Sequence, residues 1–294
     1  MITSRDPMVQ RRRLRVELRK AREAAGLSQR EVAPAMDWSL SKLIRIETGA
    51  VGISINDLKV LLQLYKIDDQ VRIDELIGMA RAAKEPAWWA PYKDVITQEL
   101  SRFLSYESAA SIIRNFEPVV VPGLLQTEEY ARATLAQMAP SISNPNPKLL
   151  DQIDSLVDLR MDRQERLSQR EDAPKIFLAM DESVLRRQVG TPDVMRRQLE
   201  RIRHALTQPD ATIWIVPFGA GLYQMMRGAY VLFELPSPGE NEDVLYLEDF
   251  RGELLIKDDM PATAAYLESF WNIEQIALKN EDAIAMVERA IADI

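Results

Sequence analysis

This chain reads as an α+β protein. A small head of five helices comes first, and a larger mixed α/β domain with a small, partly antiparallel sheet follows. Three observations lead there. Apolar residues recur at helical spacing through five segments between residues 9 and 83. From residue 175 onward, short apolar runs such as KIFLAMD (175–181), TIWIVPF (212–218) and AYVLFEL (229–235) alternate with helical stretches. Between the two regions, Glu85-Pro86, Trp88-Trp89 and Pro91 interrupt the pattern. The expected division is a head over 1–83, a junction over 84–91 pinned by aromatic packing, and a second domain over 92–294. With 294 residues and 47% hydrophobic content, the chain can bury two cores.

The first helix is expected over 9–25, with Leu14 and Leu18 four apart and Gly26 placed to end it. Helices near 28–36 and 39–48 follow, with Ser28 and Ser39 as N-caps whose hydroxyls accept an amide hydrogen bond. Pro34 falls late in the first of these, so a kink or early end is expected. Ser54 caps a fourth helix through Tyr65, with Asp57 at the capping-box position, and a fifth covers about 69–83. In the second domain, helices are expected over 97–113, 127–138 and 148–169. The stretch 117–125 carries two prolines and is expected to be extended or a loop, and 140–147 is a loop on composition. Thr191-Pro192 opens a helix to about 207. The three apolar runs are strands, and VLYLED (244–249) forms a hairpin with 229–235. One amphipathic helix, about 261–291, closes the chain.

Composition removes several functions. With no cysteine there is neither a disulfide framework nor a thiolate metal site, and the single histidine, His204, rules out a histidine-cluster site. No apolar run approaches a membrane span, and the basic N-terminus lacks the apolar core of a secretory signal, so a cytoplasmic, nucleoid-associated protein is expected. The net charge of −8 is unevenly placed. Residues 1–66 carry 13 Lys+Arg against 7 Asp+Glu, a net of +6, and the remainder carries 24 against 38, a net of −14. A basic head on an acidic body suits a DNA-binding module joined to a domain that avoids DNA.

The stretch 27–49, LSQREVAPAMDWSLSKLIRIETG, carries the chemistry. Leu27, Val32, Met36, Leu43 and Ile46 are spaced to share a small core, with the turn at Met36-Asp37-Trp38. That leaves Gln29, Arg30, Leu40, Ser41, Lys42 and Arg45 facing outward, where polar and cationic groups meet phosphates and base edges. Ser39, at the start of the second helix, and Ile44, beside Arg45, complete the expected DNA-facing set. The bland alternative is any pair of helices joined by a short turn. The run Arg11-Arg12-Arg13-Arg15, with Arg19 and Lys20, reads equally as phosphate contacts or as a solvated helix face.

Residues 11–67 resemble the xenobiotic-response-element family of helix-turn-helix regulators, which includes lambda-like phage repressors. The resemblance is carried by LRKAREAAGLSQREVA, WSLSKLIRIETG and SINDLKVLL. EPVVVPGLLQTEEYARAT (117–134), VLRRQVGTPDVMRRQL (184–199) and IWIVPFGAG (213–221) resemble the large C-terminal domain of WhiJ-like developmental regulators of actinobacteria. The resemblance implies a bonded pair between Arg22 and Glu47 that clamps the recognition helix to the first helix. It also implies a small acidic or amphipathic partner protein encoded nearby. Ile44 stands where the family more often has Ser or Thr, which makes the reading surface more apolar.

No enzyme is expected. His204 lies in an Arg-rich helix with no G-x-S-x-G or H-E-x-x-H nearby, and GAG (219–221) lacks the third glycine of a dinucleotide loop. Asp181-Glu182 and Asp258-Asp259 read as solvated loop acids rather than a metal pair, and Met225-Met226 as core filling rather than an adaptable binding surface. The expected function is a sequence-specific transcription regulator, a repressor, binding double-stranded operator DNA as a homodimer. It needs no cofactor or metal. Its second domain supplies dimerisation and binds the small protein partner. A small-molecule receptor with a pocket in that domain, or the antitoxin-like half of a toxin–antitoxin-type pair, are the alternatives.

Overall fold

The helical spacing of the head becomes five helices in the computed structural model, which describes residues 7–138, 152–169, 173–235, 243–249, 252–256 and 259–294. They are α1 (Pro7–Ala24), α2 (Gln29–Ala35), α3 (Leu40–Glu47), α4 (Ile55–Leu64) and α5 (Gln70–Ala82). The chain divides into two compact units, Met1–Ala90 and Pro91–Ile294.

Left-handed residues follow the first four helices of the head, Gly49 (φ 78°) among them. Gly26 (φ 70°) ends α1, Asp37 (φ 54°) follows α2 and Lys66 (φ 59°) follows α4. After α2 the Trp38 amide donates to the Ala33 carbonyl at 2.8 Å and the Asp37 amide to the Pro34 carbonyl at 3.1 Å. These bonds satisfy carbonyls that the helix end leaves open, and an aspartate tolerates the left-handed backbone better than most residues. Pro34 has no amide to give, and α2 stops one residue beyond it. Leu18, Val32, Leu43, Leu58, Leu61 and Leu62 are all but fully buried in one shared core, with Met36 and Ile46 beside them and Leu27 packed against it. Each such side chain contributes roughly 1.5–3 kcal/mol on leaving water.

The second unit is a six-stranded mixed sheet in the order β3-β2-β1-β4-β5-β6. The strands are β1 (Ile112–Glu117), β2 (Lys175–Asp181), β3 (Thr212–Val216), β4 (Ala229–Glu234), β5 (Val244–Asp249) and β6 (Gly252–Ile256). β1, β2 and β3 run parallel, while β4 pairs antiparallel with β1 and starts an antiparallel meander through β5 and β6. The helices are α6 (Gln98–Ala109), α7 (Glu128–Met138), α8 (Ile153–Ser168), the short α9 (Ser183–Arg186), α10 (Pro192–Ala205), α11 (Met260–Ile276) and α12 (Asn280–Ala292). Alternation along the strands feeds two cores. Leu178, Met180, Ile213 and Ile215 join Leu199 of α10 and Val287 of α12 on one face. Ala179, Trp214 and Val216 join Tyr230 and Phe270 on the other.

Three elements depart from the sequence reading. The helix expected over 97–113 ends at Ala109, and Ile112–Glu117 form the central strand, paired on both edges. Ala110 turns extended (φ −70°, ψ 143°), and hydrogen bonding to β2 and β4 outweighs the helical look of the flanking residues. The single closing helix is broken at 277–279, where the amide and carbonyl of Leu278 pair with those of Ile215 and cover part of the open edge of β3. β6 was not read from the sequence, and it completes the meander. The loop expected over 140–147 and Asp258 lie outside the described residues.

Candidate nucleic-acid interface

The site is built by α2, the turn at 36–38, and α3. Ser39 caps α3 by accepting the Lys42 amide at 3.2 Å. Ser28 does something different at the start of α2. Its amide (2.8 Å) and its hydroxyl (2.7 Å) both donate to the Glu31 carboxylate, which holds that carboxyl below its ordinary pKa.

Arg22 and Glu47 meet across the head. Arg22 Nε donates to Glu47 Oε1 at 2.7 Å and Nη2 to Oε2 at 3.2 Å, with side-chain exposures of only 11% and 4%. Arg22 Nη1 also donates to the Leu27 carbonyl at 2.9 Å. Burial opposes the charge on Arg22, but the hydrogen bonds and charge of Glu47 prevail and raise the guanidinium pKa. The geometry is a buried bidentate fork. It joins the end of α1 to the end of α3.

The other side chains of the expected set are placed as follows. Gln29 is half-buried, and its Nε2 donates to Glu47 Oε2 at 2.7 Å, so the amide extends the clamp to the first turn of α2. Lys42 is half-buried, its ammonium 4.0 Å from the centre of the Trp38 ring and 3.5 Å from Asp57. Arg30, Ser39, Leu40, Ser41, Ile44 and Arg45 are exposed. Arg30 and Arg45 pair with no side chain among the described residues, so both guanidinium groups are available to phosphate or base edges.

Much of the basic run on α1 is tied into the head. Arg11 donates to the Ala83 carbonyl and Arg15 to the Thr48 carbonyl, each at 3.0 Å. Thr48 is the C-cap of α3, where a cation also suits the helix dipole. Arg19 pairs with Glu23 and Lys20 with Glu17. The roles of Arg15, Gln29 and Trp38 in setting α3 were not legible in the sequence, because each depends on a partner far along the chain or on a rotamer. Near the clamp, the Tyr65 hydroxyl is buried without a hydrogen bond among the described residues, and burial and the Glu47 charge push its pKa up.

In the second unit, Asp181 and Glu182 are not the solvated loop acids expected but are buried and structural. Asp181 accepts the Ser183 amide at 2.9 Å and the Tyr223 hydroxyl at 2.6 Å, and Glu182 accepts the Phe218 amide at 2.9 Å. Glu117, at the end of β1, is desolvated beside Glu248, and its carboxyl is raised to about 8 despite Asn115, Arg160 and Arg163 nearby.

The compact head, its α2–turn–α3 and its exposed, unpaired Arg30 and Arg45 suit a DNA-binding regulator. Residues 13–76 match the family described as a helix-turn-helix domain. Residues 100–289 match the family described as a domain of unknown function (DUF5753), a match that covers more than half of the chain, and the protein belongs to that family. No curated protein and no solved structure matches it. Among the described residues, no helix is long and apolar enough to cross a membrane.

Proposed function

We propose that this protein is a cytoplasmic, sequence-specific transcription repressor that binds operator DNA as a homodimer and carries no catalytic activity. The observation that carries the reading is the exposed face of α3, Leu40, Ser41, Ile44 and Arg45, on a clamped head with Arg30 exposed on α2. α3 enters the major groove, where Leu40, Ser41, Ile44 and Arg45 face base edges, and Arg30 at the start of α2 meets phosphate. One head of this size buries too little surface to discriminate among genomic sites, which favours two copies on paired half-sites.

The second unit takes the regulatory input. Its resemblance to WhiJ-like regulators supports a small protein partner. So does the loop after β3, where Phe218 and Leu222 are 58% and 91% exposed. Partner binding that changes operator affinity must be matched by an equal effect of operator on partner affinity.

The test is selection of bound duplexes from a random pool with the full chain, followed by titration of the recovered site. Binding to it should fall steeply with salt. Arg45→Ala should weaken binding to the selected site by about 1–3 kcal/mol and affect random DNA less. Equal loss on both would reduce Arg45 to a phosphate contact, and recovery of no preferred duplex would overturn sequence-specific binding.

A further inference from the structure

The packed head gives partners to two of the polar side chains expected to face DNA. Gln29 is bonded to Glu47, and Lys42 lies over Trp38 and toward Asp57. What α3 leaves exposed is Leu40, Ser41, Ile44 and Arg45. Leu40 is 37% exposed and Ile44 38%, whereas Leu43 and Ile46 on the same short helix are buried at 0% and 4%. The two exposed side chains are therefore surplus to the core. Being four residues apart, they stand one above the other on a single face.

Their surroundings select the occupant. Arg45 adjoins Ile44, and Arg30 is exposed on the preceding helix. A short apolar strip with one unpaired cation next to it on α3, and a second exposed on the preceding helix, suits a polyanion that displays an apolar group. In the major groove, the apolar group on a base edge is the C5-methyl of thymine. Four helical residues rise about 6 Å. Successive bases on a strand are about 3.4 Å apart. Leu40 and Ile44 can thus meet two methyls one or two base steps apart.

We propose that Leu40 and Ile44 read thymine C5-methyl groups, so that each operator half-site carries two thymines within two base steps of one another. Arg45 supplies the polar contact beside them. This rests on the reading of the chain as a sequence-specific DNA-binding protein and adds the chemistry of the site it selects. A pocket lined only with polar groups would favour guanine or adenine edges. Here the methyl is the recognised feature, and its removal leaves every hydrogen-bonding group of the base in place.

The experiment uses the full wild-type chain and the duplex recovered from the random pool, with each thymine in turn replaced by deoxyuridine. Two neighbouring positions should each lose about fourfold in affinity, the worth of one buried methyl, and the doubly substituted duplex more than tenfold. Ile44→Ala should lose affinity for the thymine duplex and no longer distinguish thymine from deoxyuridine at one of the two positions. Leu40→Ala should do the same at the other. Because the base substitution acts on wild-type protein, a poorly folded variant does not blur the result. If deoxyuridine is tolerated at every position while Arg45→Ala still weakens the selected site, methyl reading is overturned and sequence-specific binding stands. If no duplex is preferred over random DNA, both fall.

Discussion

Breaking the Arg22–Glu47 fork should loosen the recognition helix before anything else in the head. Glu47→Ala removes the acceptor of three hydrogen bonds, two from Arg22 and one from Gln29. It leaves a guanidinium that is only 11% exposed with the Leu27 carbonyl and the marginal Glu23 contact at 3.5 Å. An uncompensated buried charge of this kind costs about 3–5 kcal/mol. Converted at 1.36 kcal/mol per decade, that is at least a hundredfold in the local opening equilibrium. Hydrogen exchange of the full chain, read on peptides covering 28–48, should show amide protection falling by that factor, with α10 and α12 unchanged. Arg22→Ala should lose a similar amount, because it strands the Glu47 carboxylate with Gln29 alone. The double variant should lose clearly less than the sum, since the second substitution removes a group already stranded. A volume-matched Arg22→Met/Glu47→Leu pair should restore most of the protection, since buried ion pairs are often replaceable by packed apolar groups. Strict additivity of the two alanine variants, or unchanged protection of 40–47 in Glu47→Ala, would refute the clamp.

Two further outcomes are expected. Tyr65→Phe should leave the head as stable or stabilise it by up to about 1 kcal/mol, because it removes a buried hydroxyl with no hydrogen bond; a loss above that, seen by the same exchange measurement, would reveal a partner for the hydroxyl. Glu117→Gln should change the pH dependence of the second unit. The carboxyl is raised to about 8 in the folded chain by burial and Glu248, so the fold favours its protonated form. Stability is therefore full near the ordinary carboxyl range and declines as pH rises toward about 8, where ionisation is easier in the unfolded chain. Thermal melts should show the variant matching wild type near pH 4.5 and melting several degrees higher at pH 8.5, at about 2–4 °C per kcal/mol for a domain of this size. Parallel curves across that range would place Glu117 in a more solvated setting.

The head was legible in the sequence because its signals are local. N-cap serines, Gly26 and the spacing of Leu14, Leu18, Leu43 and Ile46 each act within a few residues, and helices are local structures. The outward set on α2 and α3 came from the same periodicity. What periodicity cannot supply is the partner across space. Gln29 and Lys42 sit at outward-facing positions by spacing, but Glu47 lies 18 residues from Gln29 and Asp57 lies 15 from Lys42, and only the packed head brings them within reach. That diversion leaves Leu40, Ser41, Ile44 and Arg45 as the exposed residues of α3.

In the second unit the strands that are short apolar runs, within 175–181, 212–218, 229–235 and 244–249, were visible, and so was the hairpin between β4 and β5. The central strand β1 was not. Its residues IIRNFE follow α6 with no glycine or proline to mark a boundary, and what fixes them as the centre of the sheet is pairing with β2 and β4, 58 or more residues away in the chain. The break at Leu278 has the same origin, since its bond partner is Ile215. Local pattern decided the helices, their caps and the exposed face of α3. Long-range pairing decided which apolar run became the centre of the sheet and which polar side chains of α2 and α3 remain unpaired.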